Sequence, residues 1–245
     1  MKIKTMLKSD HDHSPEAIAA RLSEGPKAHY LREWVYGGID GVVTTFAIVA
    51  GVVGANLSPI IVLILGVANL IGDGFSMAAG AYSAAKAEED NYARLREIEA
   101  GHIKKYPEGE KEEIRQIFAA KGIEGKNLEN LVETISGDET LWIDTMMQEE
   151  HGISASLHAP INIAIHTFLA FVICGAMPLL PFLVKTPHQA AVSLVLAALT
   201  FFAIGSFKSL WSVKPWWREG AGTMAIGLIA AGLAFAIGYG LRHLV

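Results

Sequence analysis

Hydrophobic positions are concentrated in two blocks, residues 34–85 and 159–243, whereas most charged positions lie outside them. A helix needs about 20 mainly apolar residues to cross the hydrocarbon core of a bilayer. The stretches of this length are 34–55, 59–85, 159–184, 188–210 and 219–242. The pattern therefore predicts an all-α integral membrane protein with five transmembrane helices.

The connections between these spans differ sharply in length. Residues 56–58 and 185–187 form tight turns, so we expect each to join two antiparallel helices. Residues 86–158 are numerous enough to form a domain inserted between spans two and three. The predicted organisation is an N-terminal segment (1–33), spans one and two (34–85), an acidic helical metal-binding domain (86–158) and spans three to five (159–245).

Basic residues predict the orientation in the membrane. Residues 1–33 contain six Lys and Arg and residues 86–158 contain nine, and with five spans both regions fall on the same side. Because basic loops favour the cytosolic side, we expect the N-terminus and the inserted domain in the cytosol and the C-terminus opposite. The net charge of −5 argues against a nucleic-acid partner. The single Cys174 excludes a disulfide within the chain.

Two spans contain carboxylates. Asp40 lies in span one and Asp73 in span two, although a charged residue at the bilayer centre costs about 2.5–3.5 kcal/mol on insertion scales. Asn69, Asp73 and Met77 follow one another at i, i+4 and i+8, which places them on one helical face. Oxygen and thioether ligands together suit Fe²⁺ or Mn²⁺ in transit. The alternative is a hydrogen-bonded polar ladder in which Met77 fills space.

The inserted domain contains seventeen Asp and Glu against nine Lys and Arg. Several side chains that bind metals recur three or four residues apart and therefore share helical faces. These candidate ligands are Glu99, His102, Glu110, Glu113, Met146, Met147 and Glu150. The spacing predicts three helices that converge on shared ions. The alternative is a solvated acidic surface with salt bridges along each helix.

The two groups of candidate ligands are predicted to lie far apart. Span two can continue as a helix into the inserted domain as far as Pro107. Asp73 and Glu99 would then be 26 residues apart on one helix, which is about 40 Å at 1.5 Å per residue. We therefore expect the inserted domain to collect or sense metal, and the membrane residues to move it.

Three stretches resemble the vacuolar iron transporter family, which includes the yeast vacuolar iron and manganese carriers and bacterial relatives. They read YGGIDGVVTTFAIVAGVVGA, GDGFSMAAGAYSAAKAEEDNY and LWIDTMMQEEHG, and the resemblance covers about residues 29–243. It implies five spans per subunit and a homodimer with its pathway at the two-fold axis. It also implies export of Fe²⁺, and often Mn²⁺, from the cytosol in exchange for protons.

The same resemblance implies roles for individual residues. Asp40 and Met77 would be membrane ligands contributed by both subunits. The inserted domain's candidates, with one exception, would be its metal ligands: Glu99, Glu110, Glu113, Met146, Met147 and Glu150. The exception is His102, which stands where the family leads us to expect Glu. Asn69 likewise stands where an acidic residue is often found, and Asp73 lies one turn further on.

These patterns together predict a secondary transporter for divalent metal rather than an enzyme, with no organic cofactor. Fe²⁺ is the expected substrate, with Mn²⁺ next and Co²⁺, Ni²⁺ and Zn²⁺ unranked. The membrane is expected to be a bacterial inner membrane or a vacuole-like one. Two other functions use the same acidic helices: a membrane-anchored metal sensor, and a ferroxidase.

Overall fold

The computed structural model describes residues 12–25, 28–156 and 158–242, and all regular structure there is helical. Much of the predicted N-terminal segment, namely residues 1–11 and 26–27, lies outside the described residues. In chain order the helices are α1 (Pro15–Glu24), α2 (Leu31–Gly54), α3 (Pro59–Lys105), α4 (Pro107–Ala120), α5 (Gly125–Ser136), α6 (Glu139–Glu149), α7 (Pro160–Ala176), α8 (Leu180–Leu183), α9 (Gln189–Lys208) and α10 (Trp216–Leu241).

Five helical segments are long and apolar enough to cross a membrane, as predicted. They are α2, the first part of α3, α7 with α8, α9 and α10. A 3₁₀ turn, Met177–Leu179, interrupts the α-helix of span three, because Pro178 and Pro181 lack the N–H groups that helical hydrogen bonds need. The turns between spans one and two and between spans three and four contain Asn56 and Lys185 at positive φ. The chain is thus a multi-pass membrane protein.

Span one, α2, lies at the centre of the membrane part and packs against α3, α7, α9 and α10. Its glycines permit this: a Cβ on Gly41 would lie 2.3 Å from the carbonyl oxygen of Phe171 in α7. Gly37 makes a similarly close approach to the backbone of Thr167 in α7. In span five, Gly238 packs on the backbone of α2 and Gly227 packs against Phe201 of α9.

Helix α3 is 47 residues long and unbroken, as the sequence predicts. At 1.5 Å per residue it spans about 70 Å, more than twice the hydrocarbon core of a bilayer. Its second half packs against α4 and α6, and α5 packs on those two helices. We call residues 86–105 of α3, the helices α4, α5 and α6, and residues 150–153 after α6 the acidic unit.

The acidic unit has a hydrophobic core of its own. Ile103, Ile114, Val132, Trp142 and Met146 are buried together there. Ion pairs hold its surface, among them Arg115 with Glu129 at 2.9 Å. Asp138 is the N-cap of α6, and its carboxylate accepts hydrogen bonds from the backbone N–H groups of residues 140 and 141.

Candidate metal sites

One group of candidate ligands lies where α3 ends and α4 begins. Pro107 starts α4 only two residues after α3 ends, so the chain turns back and brings Glu110 beside the last turns of α3. Nδ1 of His102 lies 3.6 Å from Oε1 of Glu110 and 4.0 Å from Oε1 of Glu99. The ligand atoms of this trio all lie within 4.8 Å of one another, which is close enough to share one ion.

A second trio joins α3 to the end of α6. Nε2 of His151 lies 2.9 Å from Oε1 of Glu99 and 4.0 Å from Oε2 of Glu150. These three ligand atoms also lie within 4.8 Å of one another. Glu99 belongs to both trios, so α3, α4 and the end of α6 meet at this one carboxylate.

Two of the carboxylates are buried and incompletely hydrogen-bonded. The side chains of Glu99 and Glu110 are 2% and 6% exposed. Within the described part of the chain, Oε2 of each has no hydrogen-bond partner. A buried polar atom without a partner costs free energy, and a bound cation would remove that cost. This observation distinguishes the site from a solvated acidic surface.

The crowded carboxylates also change their acidity. Burial raises the pKa of Glu110 to about 7, and the negative charges of Glu113, Glu99 and Glu150 contribute to the increase. The pKa of Glu150 is raised as well, first by burial and then by Glu99 and Glu113. A divalent cation that replaces the protons of closely spaced carboxylates stabilises their ionised form, because it neutralises their mutual repulsion.

The remaining candidates of the acidic unit lie around this centre. Glu113 and Glu150 are exposed at its edge, whereas Met146 and Met147 are fully buried in the hydrophobic core of the unit. His151 is absent from the set predicted from sequence. The only sequence signal for His151 was its spacing of four residues from Met147. However, His151 lies after the end of α6, and its partner Glu99 is 52 residues away in sequence.

In the membrane part, Asn69 forms a polar link between spans one and two. Its amide nitrogen donates to Oγ1 of Thr44 at 3.1 Å, and Thr44 donates to the backbone oxygen of Asp40 at 2.9 Å. Of the three residues on that face of α3, these hydrogen bonds involve only Asn69. The amide nitrogen of Asn69 thus has a structural role, and it holds α3 beside the turn of α2 that contains Asp40.

Asp40 and Met77 line different cavities within one chain. Met77 lies in a cavity of about 370 Å³ that also includes Glu88 and extends along α3 over about 18 Å. Asp40 lies in a cavity of about 530 Å³ on another side of α2, beside Lys208. Arg32 and Tyr36 line both cavities.

Asp73 is exposed on the outer face of span two. Beside it on α3, a Cβ on Gly72 or Gly80 would meet nothing within 4 Å in the described structure, and Ser76 is also exposed. This small-residue face, Gly72, Asp73, Ser76 and Gly80, has no partner in the described chain. A carboxylate facing lipid would be costly, so the face requires a polar cover.

Comparison with known proteins places the chain in a family. Residues 31–239 match the model of the VIT family. The chain is 34% identical to vacuolar iron transporter 1 of Arabidopsis thaliana, with 87% of this chain and 86% of that protein covered. It is 32% identical to vacuolar iron transporter 1 of Eucalyptus grandis (88% and 90%), and 30% identical to the vacuolar iron transporter of Plasmodium berghei, strain Anka (87% and 82%). The chain therefore belongs to the VIT family.

Proposed function

We propose that this protein is a secondary transporter that moves Fe²⁺, and also Mn²⁺, out of the cytosol in exchange for protons. The supporting observation is the presence of two carboxylates, Asp40 and Asp73, inside the spans of a VIT-family chain. Its relatives are named vacuolar iron transporters, which supports iron as the substrate. A metal sensor or ferroxidase built on the acidic unit would not need carboxylates within the membrane.

The proposed orientation places the acidic unit in the cytosol. The basic residues of 1–33 and 86–158 support this side by the positive-inside tendency. The C-terminus then lies in the receiving compartment or outside the cell. A vacuole-like membrane and a bacterial inner membrane both fit this topology, because each receives metal from the cytosol.

In the proposed mechanism the acidic unit captures the ion first. Its ligands are Glu99, His102, Glu110, Glu113, Met146, Met147 and Glu150. Glu99 lies about 40 Å along α3 from Asp73, so capture and membrane passage are separate steps. The cavity that extends from Glu88 to Met77 supplies an entrance between them, with the carboxylate of Glu88 at one end and the thioether of Met77 at the other.

The second step takes place between two copies of the chain. A second subunit packed on the small-residue face would remove Asp73 from lipid and supply another set of ligands. Asp40 and Met77 of both subunits would then replace the water around the ion. Protons that enter from the receiving side neutralise Asp40 and Asp73, and this loss of charge releases the metal.

Transport into sealed vesicles tests the proposal directly. Purified protein is reconstituted into proteoliposomes with an acidic lumen, and Fe²⁺ and Mn²⁺ uptake is measured for wild type, Asp40→Ala and Glu97→Gln. We expect wild-type uptake that depends on the pH gradient and is lost in Asp40→Ala. Glu97→Gln is the control, because Glu97 is an exposed acid two residues before Glu99. Uptake retained in a folded Asp40→Ala protein would reject the proposed pathway.

A further inference from the structure

We propose that His151 is a metal ligand of the acidic unit and that, together with His102, it makes this site prefer Fe²⁺, Co²⁺, Ni²⁺ and Zn²⁺ over Mn²⁺. This inference rests on the proposed capture of metal by the acidic unit and adds a ligand and a selectivity to it. The observations behind it are the contact between His151 and Glu99, the unpartnered oxygen of Glu99, and the backbone that fixes His151 in place.

The end of helix α6 determines where the imidazole lies. Gly152 adopts φ +66°, a conformation that favours glycine and ends the helix. The N–H of Ile153 then donates to the carbonyl of Met147 at 2.9 Å, and the N–H of His151 to that of Met146 at 3.3 Å. Because these bonds close the last turn, His151 lies one turn beyond Met147 and faces α3.

The contact with Glu99 has the chemistry of a metal site. Nε2 of His151 and Oε1 of Glu99 are 2.9 Å apart, and the Glu99 side chain is 98% buried with Oε2 unpartnered. When the neutral imidazole has its proton on Nδ1, Nε2 offers a lone pair to the same space as the carboxylate. A cation there would bind both groups and would satisfy the second oxygen of Glu99.

The two histidines give each trio the same composition. His102 with Glu99 and Glu110, and His151 with Glu99 and Glu150, each provide one imidazole and two carboxylates. Carboxylates alone suit Mn²⁺, whereas imidazole favours Fe²⁺, Ni²⁺ and Zn²⁺. Affinity at nitrogen-containing sites also rises from Mn²⁺ through Fe²⁺ and Co²⁺ to Ni²⁺. Two imidazoles therefore shift the site away from Mn²⁺.

The first test measures binding of Co²⁺ and Mn²⁺ to the purified full-length protein in detergent. Wild type is compared with His151→Gln and with His188→Gln, a control at an exposed histidine after span three. We expect His151→Gln to weaken Co²⁺ binding about tenfold or more and Mn²⁺ binding much less, with His188→Gln unchanged. A histidine that only positions Glu99 would weaken both ions equally, and that result would overturn the ligand role.

The outcomes separate this inference from the proposed function. If wild type binds neither ion, metal capture by the acidic unit fails, and the inference fails with it. If wild type binds both ions and His151→Gln changes neither affinity, only the inference fails. Melting curves of the metal-free proteins show whether a loss of binding reflects misfolding.

X-ray absorption at bound Zn²⁺ provides a second, independent readout. One equivalent of Zn²⁺ is added to His102→Gln and to the double variant His102→Gln/His151→Gln. We expect the imidazole scattering signature in the first protein and its loss in the second. A signature that is absent from His102→Gln, or that persists in the double variant, would show that His151 does not bind the ion.

Discussion

Glu110, one of the two buried carboxylates of the acidic unit, is held in an environment that disfavours its charge. The pKa of Glu110 is raised to about 7 from its ordinary 4.5, so the folded metal-free protein binds a proton there that the unfolded chain releases. The stability of the metal-free protein therefore falls as the pH rises from about 4.5 to about 7. Metal binding has the opposite dependence, because the ion requires the ionised carboxylate.

This opposition predicts how metal affinity depends on pH. Between about pH 6 and pH 8, the affinity of wild type for Zn²⁺ should rise with pH as the ion displaces the proton of Glu110, by up to about tenfold per unit for each proton displaced. Glu110→Gln should bind more weakly and with a shallower pH dependence, which calorimetry at several pH values measures. Glu97→Gln should keep the wild-type slope, and an unchanged slope in Glu110→Gln would contradict the assignment.

Individual site residues were predictable only where neighbours in sequence are neighbours in space. Glu99 and His102 are three residues apart on one helix, so the sequence alone indicated that the two side chains share a face. The contact between Glu99 and His151 depends on how α6 packs on α3, which no local pattern specifies. The hydrogen bond between Asn69 and Thr44 also depends on how two spans pack together, so the position of Asn69 in the sequence did not reveal it.

At the scale of helices, α2 depends on small residues for its central position. The backbone of α7 lies against Gly41 so closely that an added Cβ would meet the carbonyl oxygen of Phe171 at 2.3 Å. Such contacts replace the hydrophobic driving force that lipid does not supply, because helices in a bilayer associate largely through close van der Waals packing. Asp40 is the residue before Gly41, so this packing also fixes the backbone position of Asp40, a proposed transport ligand.

Substitution of Gly41 should therefore be costly. We expect Gly41→Ala to force α2 and α7 apart and to destabilise the protein by about 1–3 kcal/mol, seen as a lower melting temperature in detergent. Gly222→Ala in α10 is the matched control, because its added Cβ meets no atom within 4 Å in the described structure. That variant should melt at or slightly above the wild-type temperature, since Ala favours helix. Equal melting temperatures for both variants would contradict the described contact.

Helices and their ends were largely predictable because local chemistry sets them. Pro107 separates α3 from α4, as its position in the sequence indicated. Asp138 begins α6 because its carboxylate accepts the first free backbone N–H groups of that helix. The packing order of the spans was not predictable, because each is apolar around most of its surface and no hydrophobic stripe indicates a partner. The helix α1 also went unpredicted, since it is short and has no buried residue.

At the scale of the whole molecule, the exposed side of span two conflicts with a single chain in lipid. Asp73 is exposed there, and only 22% of the most apolar part of α3 is buried. An apolar surface is compatible with lipid, but an exposed carboxylate at membrane depth is not. The small residues next to Asp73 would allow another helix to approach closely. A second copy of the chain satisfies both conditions and is the cover that we propose.

Cysteine cross-linking in membranes distinguishes this arrangement from a monomer. In a Cys174→Ala background, Ser76→Cys should form a reductant-sensitive dimer, because Ser76 lies on the small-residue face, where the two subunits would meet. Ile229→Cys is the control, since Ile229 is exposed on α10 and should face lipid. The Ile229→Cys protein should stay monomeric under the same oxidant. Equal cross-linking at both positions would indicate random collision. No cross-linking of Ser76→Cys would mean that the two subunits, and the metal pathway between them, meet at another face.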